Sequence, residues 1–331
     1  MKKVKAKAHS NIALVKYWGK RNIPLNLPAV ASISITLDTL FTETLLMFDP
    51  ELEKDTLVLN KTLASEKDTK RMSKFLDLIR SESNEKNYAY VESENNFPTS
   101  AGLASSASSF ACLTMAAANA ANLDISKSRL SEFARLGSGS AARSIFGGFV
   151  EMDLGKKEDG SDSIAHQIFP KEHWDLSVLI AITSEKKKKT GSTEGMEASR
   201  LTSPFYQPWI DSSTKDMNEM RDAITQKDFE KVAEVSEFSC LKMHALALAT
   251  NPGLIYWNGA TVDAMHYVRE MRESGIPVFF TIDAGPQVKA ICPTKYAGQV
   301  KQKLEQLPDV IRVIKTGLGG DAIILEEKVV S

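Results

Sequence analysis

Apolar and polar residues follow two different periods along this chain. Alternation with period two over residues 31–37, continued by a threonine-rich run to Phe48, predicts strands, whereas Met72, Phe75, Leu76 and Ile79 have the spacing of an amphipathic helix. Further predicted elements are strands at 88–91, 176–182, 278–282, 288–291 and 310–314 and helices at 106–122, 130–136, 227–249, 260–273 and 299–307. Interleaved helices and hairpin-like strand pairs favour an α+β fold over a doubly wound sheet.

Length and charge narrow the function classes. A chain of 331 residues exceeds the ~250–300 residues at which one core stops growing, so we expect two closely packed lobes. The composition, 43% hydrophobic and 25% charged, is typical of a folded globular protein. With 41 Lys and Arg against 42 Asp and Glu, the net charge is −1, which argues against a nucleic-acid partner.

The sequence predicts no secretion signal, no membrane span and no zinc-binding group of cysteines. The apolar stretch behind the first lysines, residues 12–15, is too short for a secretion signal, and the alanine-rich stretch 110–123 is too short for a membrane span. Cys112, Cys240 and Cys292 are odd in number and widely spaced, which favours reduced thiols over disulfides or a zinc site. We therefore expect a cytoplasmic protein without a membrane partner.

Residues 98–108, Pro-Thr-Ser-Ala-Gly-Leu-Ala-Ser-Ser-Ala-Ser, form a turn of small residues that runs into a predicted helix. Gly102 lets the backbone approach an anion, and the unpaired N–H groups of the first helical turn suit a di- or triphosphate. The hydroxyl groups of Ser105, Ser106 and Ser108 add donors, and one of them could ligate Mg²⁺. The stretch matches neither a Walker loop nor a dinucleotide fingerprint, and a helix start chosen for close packing stays open as the alternative.

Two further segments place cations beside turns or strands. The second small-residue turn, 137–144, carries Arg143, whose planar fork matches a carboxylate or phosphate, although a helix end with a surface arginine is the alternative. Residues 9–20 hold Lys16, Tyr17 and Lys20 next to the apolar stretch 12–15. If that stretch is a buried strand, the lysines belong to a site; otherwise they are solvated residues flanking an edge strand.

A carboxylate and a lysine run complete the candidate chemistry. Asp283 ends the apolar strand at 278–282 and precedes a tight turn, so it is either a half-buried base that needs a cationic partner or an Asx-turn residue. The four lysines at 186–189 are either a solvated loop or a lid beside a polyphosphate.

In combination these motifs resemble the mevalonate diphosphate decarboxylase family of the GHMP small-molecule kinase superfamily. The resemblance rests on Asn-Ile-Ala-Leu-Val-Lys-Tyr-Trp-Gly-Lys at 11–20, Asn-Phe-Pro-Thr at 96–99, Gly-Leu-Ala-Ser-Ser-Ala at 102–107, Gly-Ser-Gly-Ser at 137–140 with Arg-Ser at 143–144, and Asp-Ala-Gly-Pro at 283–286. It implies a GHMP-kinase-like α+β fold: a ribosomal protein S5 domain 2-like ATP-binding region, 1–173, packed on a ferredoxin-like region, 174–331. It also implies ATP and Mg²⁺ as co-substrate and ion, mevalonate 5-diphosphate as substrate, and a homodimer.

The resemblance also implies roles for individual residues. Asp283 would orient or deprotonate the 3-hydroxyl group, Lys16 would stabilise charge beside it, and Arg143 would hold the substrate carboxylate. The diphosphate would be bound by Tyr17, Lys20, Ser138, Gly139, Ser140 and Ser192. ATP would be bound by Asn95, Asn96, Ser100, Gly102, Leu103, Ala104, Ser105, Ser106, Ser108, Lys187 and Lys188, with Ser106 as the Mg²⁺ ligand.

Three positions depart from the family pattern, and two other functions stay open. Val30 and Ala31 stand where the family usually has Asn-Ser, and Gln287 stands where it has Asn. A kinase-only relative acting on mevalonate or phosphomevalonate would keep the serine loop, and could also use an Asp and a Lys. A non-enzymatic nucleotide or RNA binder of the same fold is disfavoured by the neutral charge and the polar catalytic candidates.

Overall fold

The computed structural model of the chain describes residues 2–97, 105–186 and 188–329. The strands are β1 (Lys2–Val15), β2 (Lys20–Asn22), β3 (Leu27–Pro28), β4 (Ser32–Asp49), β5 (Thr56–Leu59), β6 (Thr62–Leu63), β7 (Tyr88–Asn95), β8 (Phe149–Met152), β9 (Ala165–Phe169), β10 (Leu176–Ile182), β11 (Phe279–Thr281), β12 (Val288–Pro293), β13 (Arg312–Thr316) and β14 (Ile323–Val329). The α-helices are α1 (Glu66–Glu82), α2 (Ser105–Ala120), α3 (Lys127–Gly137), α4 (Ser192–Thr202), α5 (Tyr206–Gln226), α6 (Phe229–Leu248), α7 (Gly259–Glu273) and α8 (Ala297–Leu304), and a 3₁₀ helix covers Gly139–Ile145.

The first sheet is organised around the long antiparallel strands β1 and β4. Its order is β14-β1-β4-β7-β5-β6, and β8 pairs with both β4 and β9. Alternate residues of β1, such as Val4 and Ala6, are fully buried beneath α2. Alanines such as Ala111 and Ala117 face this core, and because their side chains are small, α2 can lie close to the two strands.

The second sheet has the order β11-β12-β10-β13, with every neighbouring pair antiparallel. Counted along the chain, this is the order 2-3-1-4, with helices α4 to α7 between the first two strands and α8 between the last two. That is the ferredoxin-like arrangement predicted for this half of the chain.

A shared core joins the two sheets and brings two strand ends together. Ile12 and Leu14 of β1 pack against Ile180 of β10 and Phe279 of β11. Helix α6 contacts both β1 and β11, so the residues that follow these strands meet at one place. Strand β14 pairs with β1, so the last described strand belongs to the first sheet. The division between residues 173 and 174 stays a prediction.

Most predicted elements are observed within a few residues of their expected bounds, but β2, β3, β5, β6, β8, β9, α4, α5 and β14 were not predicted. Helix α4 begins at Ser192, shortly after the lysine run at 186–189, and α5 follows it after a short turn. In α5 the buried stripe includes Ser213 and Asp216, which conceal its helical period in the sequence. Among the described helices, none has the length and apolar character needed to cross a membrane.

Candidate active site

A cavity of about 290 Å³ opens between the two lobes where β1 and β11 end. The described residues that line it are Asn11, Ala13, Lys16, Tyr17, Trp18, Lys20, Asn26, Arg71, Ser105, Ser106, Ser138, Gly139, Ser140, Arg143, Lys188, Ser192, Thr193, Met196, Met243, Asp283 and Ala284. Five of these side chains are cationic and only Asp283 is acidic, so the cavity suits a polyanionic ligand.

Asp283 and Lys16 form an ion pair at the inner end of this cavity. The Nζ of Lys16 lies 2.6 Å from Oδ1 of Asp283 and 2.8 Å from the Ala13 carbonyl oxygen. The Lys16 side chain is 1% exposed, whereas that of Asp283 is 25% exposed. Burial raises the pKa of Asp283, but the nearby cations Lys16, Lys289 and Arg143 lower it by more, so the pKa lies below its usual value. An ionised carboxylate therefore borders the cavity and can accept a hydrogen bond from a ligand hydroxyl group.

Helix α6 holds the two segments that carry this pair. The hydroxyl of Ser239 accepts a hydrogen bond from the Lys16 backbone N–H at 3.0 Å. The next residue of the same helix, Cys240, accepts at its sulfur a hydrogen bond from the Ile282 N–H at 3.2 Å, immediately before Asp283. The carboxylate of Asp283 is thus engaged by a buried lysine, which distinguishes it from a simple Asx-turn residue.

Arg143 is a buried cation whose hydrogen-bond partners in the described part of the chain are all neutral side chains. Its guanidinium donates to Oγ of Ser32 at 2.6 Å, to Oγ of Ser34 at 3.0 Å and to Oδ1 of Asn11 at 3.1 Å. The residue is 2% exposed, so the alternative of a surface arginine is wrong. Burial lowers the pKa of Arg143 to about 10, although Asp283 and Tyr17 oppose the shift, and the group stays charged at neutral pH. This arrangement leaves its charge available to an anionic ligand.

Lys20 is a second cation held by neutral groups. It is 9% exposed, and its Nζ donates to Oδ1 of Asn26 at 2.6 Å and to Oγ1 of Thr193 at 3.1 Å. Burial, with a smaller contribution from Arg71, lowers the pKa of Lys20 to about 8. The ammonium is therefore mostly charged at neutral pH and would gain from an anion in the cavity.

Tyr17 and Gly139 form a close contact at the cavity wall. The Tyr17 hydroxyl is buried and has no hydrogen-bond partner among the described atoms. A Cβ atom at position 139 would lie 2.3 Å from this hydroxyl oxygen, so any residue other than glycine here would displace the Tyr17 ring. The unpaired hydroxyl is then free to bind a ligand atom.

The beginning of α2 supplies two serines to the cavity and a third to the core. Ser105 and Ser106 line the cavity. Ser108 is fully buried, and its hydroxyl accepts hydrogen bonds from Thr42 at 2.7 Å and Ser10 at 3.4 Å. Ser108 therefore ties the helix to β1 and β4 and does not line the cavity. The remaining predicted ATP ligands of this kind, Ser100, Gly102, Leu103, Ala104 and Lys187, lie outside the described residues.

Comparison with known proteins places the chain in a family. A model described as the diphosphomevalonate decarboxylase-like N-terminal domain matches residues 8–165, and one described as the mevalonate 5-diphosphate decarboxylase C-terminal domain matches residues 178–317. The diphosphomevalonate decarboxylase of Saccharomyces cerevisiae is 40% identical over 294 residues, which cover 83% of this chain and 74% of the yeast protein. The chain belongs to the diphosphomevalonate decarboxylase family.

Solved structures of this family superpose on nearly the whole chain. The mevalonate diphosphate decarboxylase of Staphylococcus aureus is 40% identical, with a TM-score of 0.93 over 98% of this chain and 99% of that one. MDDEF in complex with MVAPP, AMPPCP and magnesium is also 40% identical, with a TM-score of 0.91 over 98% and 100% of the two chains. The GHMP-kinase-like fold predicted for this family member is therefore confirmed.

The lysine loop of this family member reaches the cavity through Lys188. Its Nζ donates to Oγ of Ser192 at 2.8 Å and to the Ala284 carbonyl oxygen at 3.2 Å. Burial lowers the pKa of Lys188, with Asp283 opposing the shift. Lys188 thus connects the first residue of α4 with the turn that follows Asp283. The other predicted diphosphate ligands, Ser138 and Ser140, also line the cavity.

Asn95 and Asn96 do not line the cavity. The Oδ1 of Asn95 accepts a hydrogen bond from Thr42 at 2.5 Å. The Asn96 side chain accepts from the Phe41 N–H at 2.9 Å and donates to the Thr39 carbonyl oxygen at 2.7 Å. Both amides fasten the end of β7 to β4, and a role in nucleotide binding stays a prediction.

Several site residues had no assigned role in the sequence. Arg71 occupies a polar position of the amphipathic helix α1, yet its guanidinium lines the cavity, donates to the Gly137 carbonyl oxygen at 2.9 Å and lies 4.5 Å from the centre of the Phe110 ring. Asn11, the first residue of the motif at 11–20, accepts a hydrogen bond from Arg143 and so fixes its guanidinium. Gln287, the departure from the family pattern, accepts from the Thr183 N–H at 2.7 Å and so fixes the start of the lysine loop.

Proposed function

We propose that the protein catalyses the ATP-dependent decarboxylation of mevalonate 5-diphosphate to isopentenyl diphosphate, with ADP, phosphate and CO₂ as the other products. The observation that carries this proposal is the presence, in one cationic cavity, of the Asp283–Lys16 pair and of Arg143 with neutral partners only. Membership of the family supports the reaction, and the complex of MDDEF with MVAPP, AMPPCP and magnesium supports the substrate, the nucleotide and the ion.

The first chemical step is transfer of the γ-phosphoryl group to the tertiary 3-hydroxyl. Asp283 accepts the hydroxyl hydrogen bond and orients the oxygen for attack on the γ-phosphorus, ADP leaves, and the hydroxyl proton passes to Asp283 or to solvent. Lys16 holds the carboxylate in place through the 2.6 Å contact. Positioning and charge stabilisation supply most of the rate enhancement in phosphoryl transfer, and this geometry provides both.

The second step is loss of phosphate and CO₂. Departure of the 3-phosphate develops positive character at C3, and the carbon–carbon bond to the carboxylate then supplies the electron pair of the new double bond. Arg143 binds the carboxylate and keeps it oriented until CO₂ leaves. Because Ser32, Ser34 and Asn11 fix the guanidinium on one side, its position does not depend on the ligand.

The remaining polar groups bind phosphates. Lys20, Tyr17, Ser138, Ser140 and Ser192 bind the diphosphate of the substrate, and the start of α2 with Lys188 binds the phosphates of ATP. Ser106 lines the cavity, and its hydroxyl oxygen is a ligand of the kind that Mg²⁺ takes, so Ser106 would hold a Mg²⁺ ion that is bound together with ATP. When bound, Mg²⁺ neutralises charge on the nucleotide phosphates.

Product analysis tests this function. The protein is incubated with mevalonate 5-diphosphate labelled at the carboxyl carbon, ATP and Mg²⁺, and both ADP and labelled CO₂ are measured. We expect the two products in equal amounts. ADP without CO₂ would contradict decarboxylation and identify a kinase-only relative, and the absence of both products would contradict any role in phosphoryl transfer.

We also propose that each chain is divided into the regions 1–173 and 174–331, that two chains form a homodimer, and that the protein is cytoplasmic. The cytoplasmic location is supported by Cys112, Cys240 and Cys292, which are all buried and free, as expected in a reducing compartment. Light scattering coupled to size-exclusion chromatography tests the dimer, and a single mass of one chain would contradict it.

A further inference from the structure

Lys289, the second residue of β12, is a buried lysine that the reaction described above does not use. It is 1% exposed and is among the largest fully buried side chains of the described structure. A lysine is almost never buried to this extent unless a charged partner is close, because desolvation of an unpaired ammonium is too costly. Its burial therefore calls for an anionic neighbour.

The strand register shows which side of the sheet Lys289 faces. It lies directly opposite Thr281 of β11 and Ile180 of β10, and residues directly opposite one another point to the same face. Ile180 belongs to the core shared with β1. The hydroxyl of Thr281 donates at 3.3 Å to the Ala13 carbonyl oxygen, which also accepts the Lys16 ammonium at 2.8 Å. Lys289 thus faces the end of β1, where Lys16 and Asp283 meet.

Electrostatics connect Lys289 to the Asp283 carboxylate. Burial lowers the pKa of Lys289 to about 8, and Asp283 is the carboxylate that opposes this shift. The effect is mutual: of the charges that lower the pKa of Asp283, Lys16 has the largest effect and Lys289 the next largest. The other groups that act on this pair are Arg143 from the 3₁₀ helix, Lys188 from the lysine loop, and Cys240 and His244 from α6.

We propose that Lys289 is a positioning residue for the reaction, forming with Lys16 a pair of buried ammonium groups that keeps the Asp283 carboxylate ionised and directed into the cavity. The proposal rests on the role proposed for Asp283. Lys289 does not belong to the described lining of the cavity, so it acts through Asp283 and not on the ligand.

This role has a consequence for the pH dependence. A group with a pKa of about 8 is an ammonium below that pH and becomes neutral above it. The support that Lys289 gives to Asp283 is therefore present at neutral pH and is lost as the pH rises through about 8. Lys20 also has a pKa of about 8, but it contacts the proposed diphosphate site and should affect KM. Loss of Lys289 charge should instead lower kcat.

The test compares the Lys289→Met and Lys289→Arg variants of the full-length protein, with Lys315→Met as control. Lys315 is an exposed residue of β13 in the same sheet. We measure kcat and KM for mevalonate 5-diphosphate between about pH 6 and pH 9, because the pH dependence of these constants reports the protonation of the groups on which the reaction depends. For Lys289→Met we expect kcat at neutral pH to fall by about tenfold or more, because an Asp283 carboxylate that is less well positioned accelerates the reaction less. Lys289→Arg should retain most of the activity and move the alkaline fall in kcat to higher pH, whereas Lys315→Met should resemble the wild type.

Two results would overturn the proposal. One is a folded Lys289→Met variant with wild-type kcat and pH profile. The other is a Lys289→Arg variant whose alkaline fall in kcat stays where it is in the wild type, and this readout remains if the methionine variant fails to fold. The Asp283→Asn variant separates the role of Lys289 from the proposed function of Asp283. If Asp283→Asn is inactive and Lys289→Met behaves like the wild type, only the role of Lys289 is contradicted. An active Asp283→Asn removes the proposed function of Asp283 itself.

Discussion

Replacement of Asp283 by asparagine tests the centre of the mechanism. Asparagine has nearly the same shape and keeps a carbonyl oxygen for the Lys16 ammonium, now 2.6 Å from Oδ1, but it cannot take a proton or carry charge. A positioned base contributes about 10²–10⁴ to a rate, so we expect kcat to fall by about a thousandfold, equivalent to ~4 kcal/mol of barrier. The assay follows ADP and CO₂ release at saturating ATP and substrate.

The same substitution also removes one half of an ion pair, so stability must be measured beside activity. Breaking a fully buried pair costs about 3–5 kcal/mol, but the Asp283 side chain is 25% exposed and the amide still accepts a hydrogen bond. We therefore expect a smaller loss, about 1–3 kcal/mol in the free energy of unfolding, measured by urea titration.

Asp216→Asn is the matched control for this loss of stability. Asp216 forms an ion pair of the same length, 2.6 Å, with Lys242, and the two side chains are 7% and 17% exposed. Neither residue lines the cavity. The control should lose comparable stability and keep kcat. If Asp283→Asn retained more than about a tenth of the wild-type kcat, or if both variants lost activity equally, the assignment of Asp283 as the reacting base would be refuted.

Three further variants probe the rest of the cavity. Lys20→Met should raise KM for the substrate by about tenfold or more with little change in kcat, and the wild-type KM should rise with pH through about 8, where the pKa of Lys20 lies. Gly139→Ala should abolish most activity, because the new Cβ would lie 2.3 Å from the Tyr17 hydroxyl oxygen. The control Gly298→Ala places its Cβ in open space within α8, so it should stay active, and its free energy of unfolding in urea titration should rise by up to ~1 kcal/mol. Arg143→Lys should lower CO₂ release by about a hundredfold, since one ammonium cannot replace a planar fork, and an unchanged rate would remove Arg143 from the mechanism.

Much of the fold and the main chemical groups could be predicted from the sequence. The strand before Asp283 is a short apolar run that ends at a turn, and the lysines after β1 adjoin a buried stretch, so local patterns locate both. Arg143 was found because its turn of small residues is unusual. These are cases in which a short segment contains its own signal.

The remainder depends on contacts between distant segments. Arg71 has the sequence context of an exposed helix residue, and only the packing of α1 against the last residue of α3, Gly137, brings its guanidinium to the cavity. Lys289 stands between Val288 and Ala290 in an apolar strand, and this local sequence does not distinguish a buried functional lysine from an exposed one. Ser108 is the opposite case, since this serine was predicted to bind ATP but lies in the core, where its hydroxyl accepts a hydrogen bond from Thr42. No local pattern could have assigned these three positions.

The balance between stability and function in this protein is visible in its buried cations. The net charge of −1 conceals a cavity with five cationic side chains and one carboxylate. Burial lowers the pKa of Lys20 to about 8 and that of Arg143 to about 10, which means that the charged forms are held in the fold at a cost in free energy. Anionic ligands bind only the folded cavity and offset this cost, so substrate and nucleotide should stabilise the protein by mass action. The same unfavourable charges that weaken the free protein thus give the bound phosphates and carboxylate their affinity.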